Sequence, residues 1–284
     1  MDVNLLYLGN SPNSIIMKKK ILNLNSNKIL TNSSPLHLLK KDNVIIIKHF
    51  NEEIIKNIKL LKKNKNIIIY EPIDFKWQSG NINEYLKIMS IFKYVDKIIL
   101  PSKYCVNLFS NYLDKSKLYH NYHEFDERFK INYNLVNDSI NYIGDISKSS
   151  FTILDFKKYN INHIKSSKNN NLLKNTYSPS IHIDYLIDKN IYYHLHTSTK
   201  LGTALNFKSV FICNRIPIYE ELLGKNYKYF FKEDLSNLEQ IIKKAKDTIN
   251  DEVKYKEYNL KLNKVLDKLK PKNIYNNYCD IINT

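Results

Sequence analysis

The sequence predicts an α/β protein with two parallel-sheet domains, and three observations lead to this fold class. Short apolar runs alternate with segments of helical period, which is typical of parallel-sheet architecture. The 284 residues suffice for one or two domains. The alternation breaks at a polar connection, 123–139, and then starts again. We therefore predict domains at 1–138 and 139–252, and a C-terminal helical segment at 253–284 that packs back on the first domain.

In the first domain, predicted strands alternate with predicted helices. The strands are runs rich in Ile, Val and Tyr that are bounded by polar residues, and they lie at 4–9, 43–50, 66–72, 96–102 and 117–122. The helices show helical spacing of apolar residues and lie at 51–63, 83–95 and 103–113. This alternation places a ligand crevice at the carboxyl ends of the strands.

The second domain repeats the alternation less regularly. Strands are predicted at 140–147, 181–187, 190–198, 209–214 and 227–231, with a helix that begins near Thr199. Between the first two of these strands lies a Lys/Asn/Ser-rich region of poor period, 147–180. Lys-rich amphipathic helices are predicted at 235–249 and 253–269, and Pro271 breaks the run before a last helical turn or more.

Composition limits the function classes. The formal net charge is +16, but all except two of the 44 basic residues are Lys, whereas surfaces that read bases favour Arg. We therefore interpret the charge mainly as a solvated surface and do not expect a nucleic-acid partner. No apolar run is long enough to span a bilayer, and three widely separated cysteines favour a reducing compartment. These features predict a cytoplasmic protein, with peripheral contact to the inner membrane surface left open.

The stretch HTSTKLG, residues 196–202, carries the strongest sign of a binding site. Ser198 and Thr199 are residue types that begin helices, and a helix amino end attracts phosphate through its N–H groups and dipole. Lys200 adds a full charge, and Gly202 permits close approach of a ligand or a neighbouring backbone. The alternative is an ordinary capped helix with a solvated lysine.

Two further strand ends carry candidate polar residues. Arg215 follows the predicted strand 209–214, where its guanidinium can bind a phosphate or a carboxylate; the alternative is a surface arginine. Gly144 and Asp145 follow the first predicted strand of the second domain.

The order of these motifs resembles the donor-binding half of GT-B-type glycosyltransferases. The resemblance rests on S-T-K-L-G-x-A, a strand, a proline-containing loop, E-E-L-L-G and Y-x-Y-F-F within 196–231. Y-I-G-D-I-S (142–147) is similar to the opening of the second domain in that fold, and D-K-I-I-L-P-S-K (96–103) to a late strand of the first. The resemblance implies two Rossmann-like domains that face each other across a cleft, with a nucleotide-diphosphate sugar held against the second. The implied donor-binding residues are Gly144, Asp145, Ser198, Thr199, Lys200, Gly202, Thr203 and Arg215.

The chain departs from the pattern of many retaining members, which carry two glutamates eight residues apart around the donor helix. The first would fall at Thr203, which is not acidic. No Asp-x-Asp motif follows a predicted strand, so we expect transfer without a metal ion. In that case Lys200 and Arg215 would stabilise the leaving diphosphate.

An inverting enzyme also needs a general base for the acceptor hydroxyl, and we predict Asp74 in that role; a retaining enzyme would need none. Asp74 thus joins Lys200 and Arg215 as a predicted catalytic residue, with loop solvation or helix capping as its alternative. The predicted acceptor-side residues are Gly9, Asn10, Glu71, Trp77 and His123.

The function predicted from these residues is metal-independent transfer of a sugar from a nucleotide-diphosphate sugar to a glycan, lipid-linked or protein acceptor. The nucleotide sugar is a co-substrate, and no cofactor is expected. Two alternatives stay open: a nucleic-acid-binding protein, including a DNA-modifying glycosyltransferase of the same fold, and a non-catalytic relative that only binds sugar nucleotides.

Overall fold

The structure is a computed structural model, and its described residues fall into two compact units. One unit comprises Met1–Tyr122 and Ile274–Thr284, and the other comprises His123–Asn273. The ranges that the structure describes are 6–8, 44–47, 52–72, 92–125, 129–165, 175–187 and 196–284.

The first unit contains a parallel sheet whose described strands follow one another in chain order. They are β1 (Leu6–Leu8), β2 (Val44–Ile47), β3 (Ile67–Tyr70), β4 (Lys97–Leu100) and β5 (Leu118–His120). The helices described between these strands are α1 (Glu52–Lys63) and α2 (Lys103–Phe109). All five predicted strands of this half are present, and the Ile-rich runs of β2, β3 and β4 are buried, as is typical of parallel strands.

The second unit contains another five-stranded parallel sheet, ordered β12, β11, β10, β7, β8. Its strands are β7 (Ile140–Gly144), β8 (Ile161–Lys165), β10 (Ile181–Asp184), β11 (Val210–Asn214) and β12 (Phe230–Phe231). A separate two-stranded ladder joins β6 (Lys130–Ile131) to β9 (Thr176–Tyr177). The connecting helices are α3 (Ile153–Lys158), α4 (Thr199–Asn206) and α5 (Pro217–Leu223).

Three helices end the chain: α6 (Leu238–Ile249), α7 (Glu252–Leu269) and α8 (Pro271–Asn283). Asp251 begins α7 by accepting hydrogen bonds from the backbone N–H groups of Val253 and Lys254. Pro271 stands at the start of α8, where its missing N–H costs nothing. The sequence predicted a last helical turn or more after this proline, and α8 has 13 residues.

The segment 274–284 is fixed within the first unit by buried polar contacts. The Lys97 Nζ donates to the carbonyl oxygens of Ile281 and Ile282, where it offsets the negative end of the α8 dipole. The Asn121 side chain donates to the Ile274 carbonyl oxygen over 3.1 Å.

The division into units differs from the predicted boundaries at 138 and 252. It falls between Tyr122 and His123, and α7 lies with the second unit. The reason is local: the main chain of His123 and Glu124 is hydrogen-bonded to α4 and the residue before it.

Several elements depart from the sequence predictions. The Lys/Asn/Ser-rich region 147–180 contains α3, β8 and β9, which its weak period did not reveal. The predicted strand 190–198 is not a strand at 196–198, its only described part. Residues 83–91 of the predicted helix 83–95 lie outside the described residues. Its described part, 92–95, contains a short 3₁₀ turn, Phe92–Tyr94.

Candidate functional site

The second sheet reverses its strand order between β7 and β10. From β7 the chain passes to β8 on one side, and it later returns to place β10 on the other side of β7. In open α/β sheets, ligands bind at such a switch point, beyond the carboxyl ends of the strands. β7 ends at Gly144 and β10 ends at Asp184.

Asp184 is the centre of a polar cluster at this edge. Its side chain is 1% exposed, and its Oδ1 accepts a hydrogen bond from the Lys200 Nζ over 2.6 Å. Its Oδ2 accepts from the Tyr219 hydroxyl over 2.6 Å and lies 3.2 Å from the His196 Nε2. A buried carboxylate is costly unless it is paired and hydrogen-bonded, and Asp184 meets both conditions.

Lys200 links this carboxylate to β7. Its Nζ donates to the Tyr142 hydroxyl over 2.8 Å and also lies 4.3 Å from the centre of the Tyr142 ring. The Tyr142 hydroxyl in turn donates to the Asp145 carbonyl oxygen over 3.0 Å. An ammonium group has three N–H donors, and the contacts with Asp184 and Tyr142 use two of them.

The electrostatics of the pair favour two charged groups. Burial by itself raises the pKa of Asp184, but the charge of Lys200 and the hydrogen bond with His196 outweigh it, so the pKa lies below its usual range. Burial lowers the pKa of Lys200, but Asp184 and Tyr142 more than compensate and raise it. Both groups are therefore ionised at neutral pH.

Gly144 and Asp145 shape the end of β7. Gly144 has a φ of 138°, a region that side chains other than glycine rarely adopt. A Cβ at this position would also stand 3.6 Å from the Lys200 Cε. The Asp145 side chain accepts from the Ser147 backbone N–H and hydroxyl, so it forms a local turn.

The amino end of α4 is held by the segment that precedes β6. The Ser198 hydroxyl donates to the His123 carbonyl oxygen over 2.9 Å and accepts from the His123 N–H over 3.2 Å. The Thr199 hydroxyl donates to the Glu124 carbonyl oxygen over 3.2 Å. The hydroxyls of these two predicted donor-binding residues thus donate to main-chain oxygens and hold the helix end in place, and the Ser198 side chain does not cap α4.

Gly202 lies against the Phe125 ring. A Cβ at this position would be 2.9 Å from the Phe125 Cδ1, so the glycine permits close packing of the two segments. The first intrahelical hydrogen bond runs from the Gly202 N–H to the Ser198 carbonyl oxygen over 2.8 Å. The N–H groups before it belong to the first turn, whose donors have no partner within the helix.

Thr203 and Arg215 have partners of their own. The Thr203 hydroxyl donates to the Thr199 carbonyl oxygen within α4 over 2.8 Å. The Arg215 guanidinium donates to the Glu220 carboxylate over 2.9 Å and to the Lys225 carbonyl oxygen over 2.7 Å. Arg215 is about half exposed, and no described contact joins it to Lys200.

Of the predicted acceptor-side residues, two are described. Glu71 follows β3 and is buried, and its Oε1 accepts a hydrogen bond from the Tyr278 hydroxyl of α8. His123 is buried and belongs to the second unit. The other predicted residues, Gly9, Asn10, Asp74 and Trp77, lie outside the described residues.

Sequence analysis missed Asp184, Tyr142 and Tyr219. Asp184 follows Ile183 after the start, IHI, of the predicted strand 181–187, and this position at a strand end was the available signal. Within the described ranges, no three His, Cys, Asp or Glu side chains are grouped as metal ligands. No described helix is long and apolar enough to cross a bilayer.

Comparison of the sequence with protein-family models and with curated proteins gives no match. Solved structures do match in fold. HepE (Alr3699) of Anabaena, in complex with UDP and glucose, has a TM-score of 0.68 at 8% identity, over 99% of this chain and 100% of that chain. TarM of S. aureus has a TM-score of 0.52 at 11% identity, over 88% of this chain and 57% of its own.

A third match is the UDP-forming α,α-trehalose-phosphate synthase of Burkholderia xenovorans. Its TM-score is 0.51 at 9% identity, over 87% of this chain and 74% of that chain. At such low identity these similarities show the fold alone. The chain thus has the α/β fold, with parallel sheets, of the GT-B glycosyltransferases.

Proposed function

We propose that this protein is a glycosyltransferase that binds a uridine-diphosphate sugar at the carboxyl edge of its second sheet. The observation that carries the proposal is the polar cluster of Lys200, Asp184 and Tyr142 beside the amino end of α4, at the switch point between β7 and β10. The choice of UDP is supported by HepE, whose complex contains UDP and glucose.

In this proposal Lys200 holds the diphosphate. Its remaining N–H donor, together with the first-turn N–H groups of α4, provides positive charge and hydrogen bonds for an anion. When the bond between sugar and phosphate breaks, negative charge grows on the leaving diphosphate, and Lys200 stabilises it more strongly in the transition state than in the ground state. No step of this proposal requires a metal ion.

The proposed acceptor is a glycan or a lipid-linked sugar. Contact with an anionic membrane surface is supported by α7, where Val253 and Leu260 are exposed among lysines. Pelleting with anionic vesicles at low salt tests this contact, and absence of pelleting would exclude it.

A thermal-shift panel in EDTA tests donor binding. The panel contains the diphosphates of uridine, guanosine, cytidine, adenosine and thymidine, and their sugars. We expect a selective rise in melting temperature with the uridine compounds in the wild-type protein and a much smaller rise in Lys200→Met. No rise with any nucleotide at millimolar concentration would refute the proposal, and binding to nucleic acid that weakens steeply with salt would then favour the alternative class.

Transfer is tested separately by following UDP release from a UDP-sugar with pooled glycan and lipid-linked acceptors. We expect release in EDTA that depends on both an acceptor and Lys200. Nucleotide binding without release would instead support a non-catalytic relative.

A further inference from the structure

Every other polar side chain of the described cluster is linked to the Asp184 carboxylate. Lys200, Tyr219 and His196 contact it directly, and Tyr142 is linked to it through Lys200. Its partners come from different elements: Lys200 from the first turn of α4, Tyr219 from α5, and His196 from the residues before α4. Asp184 itself ends a central strand and is buried. It is therefore a buried group that receives hydrogen bonds from several elements at once.

A lysine side chain has many rotamers, and an ammonium group alone does not select among them. In this protein two hydrogen-bond acceptors select one rotamer of Lys200. Asp184 Oδ1 lies 2.6 Å and the Tyr142 hydroxyl 2.8 Å from the Nζ. With two of its N–H bonds fixed in this way, the direction of the third is fixed as well.

We propose that Asp184 is the positioning residue of the diphosphate site, acting through Lys200, an inference that rests on the proposed function. It holds the ammonium group at the amino end of α4 before the nucleotide arrives. The diphosphate then meets a cation whose conformational freedom is already lost, which strengthens binding.

If Asp184 acted only through its charge, removing that charge would strengthen diphosphate binding, which is the opposite of what positioning predicts. The Asp184 carboxylate repels a diphosphate bound beside Lys200, so its removal would strengthen binding if Lys200 were equally well placed without it. The direction of the change in affinity for Asp184→Asn therefore separates positioning from simple charge. Asn has nearly the same shape and offers a side-chain N–H to the Tyr219 oxygen, but its oxygen is a neutral and therefore weaker acceptor for Lys200, so it holds the ammonium group less firmly.

The test is a double-mutant cycle on UDP affinity, measured by titration calorimetry in EDTA with the full chain. Its members are wild type, Asp184→Asn, Lys200→Met and the double variant. We expect Asp184→Asn to weaken UDP binding about tenfold and Lys200→Met at least as much. The double variant should bind UDP no more weakly than Lys200→Met, because positioning by Asp184 acts through Lys200 and only its repulsion of the diphosphate remains without that lysine.

Asp96→Asn is the matched control. Asp96 also pairs with a lysine, Lys62, and accepts a backbone hydrogen bond from Ile68, but it belongs to the first unit. Its variant should bind UDP as the wild type does, within about twofold. Asp184→Glu is the second variant should Asp184→Asn not fold. Glutamate keeps the negative charge but moves it by one methylene. We expect Asp184→Glu to weaken UDP binding when Lys200 is present and to have no effect on UDP binding in the Lys200→Met background.

Unchanged or tighter binding in Asp184→Asn would overturn the inference while leaving the proposed function intact. The inference would also be overturned if Asp184→Asn lowered UDP affinity equally in the wild-type and Lys200→Met backgrounds, because the loss would then not depend on Lys200. Failure of the wild-type protein to bind UDP would overturn both proposals.

Discussion

Replacement of Lys200 by methionine tests the buried ion pair through stability rather than ligand binding. The substitution leaves the Asp184 carboxylate, which is 1% exposed, without its cation. Breaking a buried pair in this way typically costs about 3–5 kcal/mol. Because Tyr219 and His196 still contact the carboxylate, we expect the lower end, about 3 kcal/mol at pH 7.

The unfolding free energies of the wild type and of Lys200→Met should depend on pH in different directions. In the wild type the pKa of Asp184 is lowered, so the pair adds stability above the unfolded pKa of about 3.9, and this stability is lost only as pH falls through the lower folded value. In Lys200→Met the largest influence that lowers the pKa of Asp184 is gone, so we expect burial to raise this pKa above the unfolded value and the variant to gain stability as pH falls from 7 towards 4. Each unit of difference in pKa contributes about 1.4 kcal/mol.

The assay is urea unfolding followed by circular dichroism at pH 7 and pH 4.5. We expect the difference in unfolding free energy between wild type and Lys200→Met to shrink by about 1–2 kcal/mol at pH 4.5. Adding Asp184→Asn should restore much of the loss at pH 7, because it removes the unpaired charge. Lys62→Met is the control, since the Lys62–Asp96 pair is partly exposed and should cost less than about 1 kcal/mol. A loss below about 1 kcal/mol for Lys200→Met, or one independent of pH, would refute the reasoning.

Three further predictions concern single contacts, each measured by thermal or urea unfolding. Gly202→Ala should destabilise the protein by about 1 kcal/mol, because overpacking against Phe125 at 2.9 Å exceeds the gain in helix propensity; a more stable variant would contradict this. Lys97→Met should cost about 1–3 kcal/mol and expose α8 to protease, since carbonyl oxygens of the last turn lose a buried donor; unchanged protease resistance would argue against this anchor. Glu220→Gln should change stability by less than about 0.5 kcal/mol, because its partner Arg215 is about half exposed; a large loss would show that the pair is more buried in solution.

The strands of the first sheet were predictable because their signal is local. Each of the runs 43–50, 66–72 and 96–102 contains an uninterrupted apolar or aromatic centre, VIII, IIIY and IIL, as is typical of buried parallel strands. In the second unit, β8 and α3 are short and their sequences mix Lys, Asn and Ile, so tertiary packing rather than period defines them.

The site was predictable only in part, for a related reason. Lys200 is marked by its neighbours in sequence, a helix-starting Ser-Thr pair and a glycine. Apart from its position at a strand end, Asp184 is marked only by its contacts, with Lys200 16 residues away along the chain and with Tyr219 35 residues away. Ser198 and Thr199 were predicted to begin the helix and to bind the donor, but their hydroxyls donate to the main chain of 123–124.

The most direct test of the account is a crystal structure of the protein with UDP, grown in EDTA. The account predicts that the diphosphate lies at the edge between β7 and β10, with an oxygen at hydrogen-bond distance, roughly 2.7–3.2 Å, from the Lys200 Nζ. A diphosphate bound elsewhere, or one that leaves the Lys200 ammonium without contact, would contradict it.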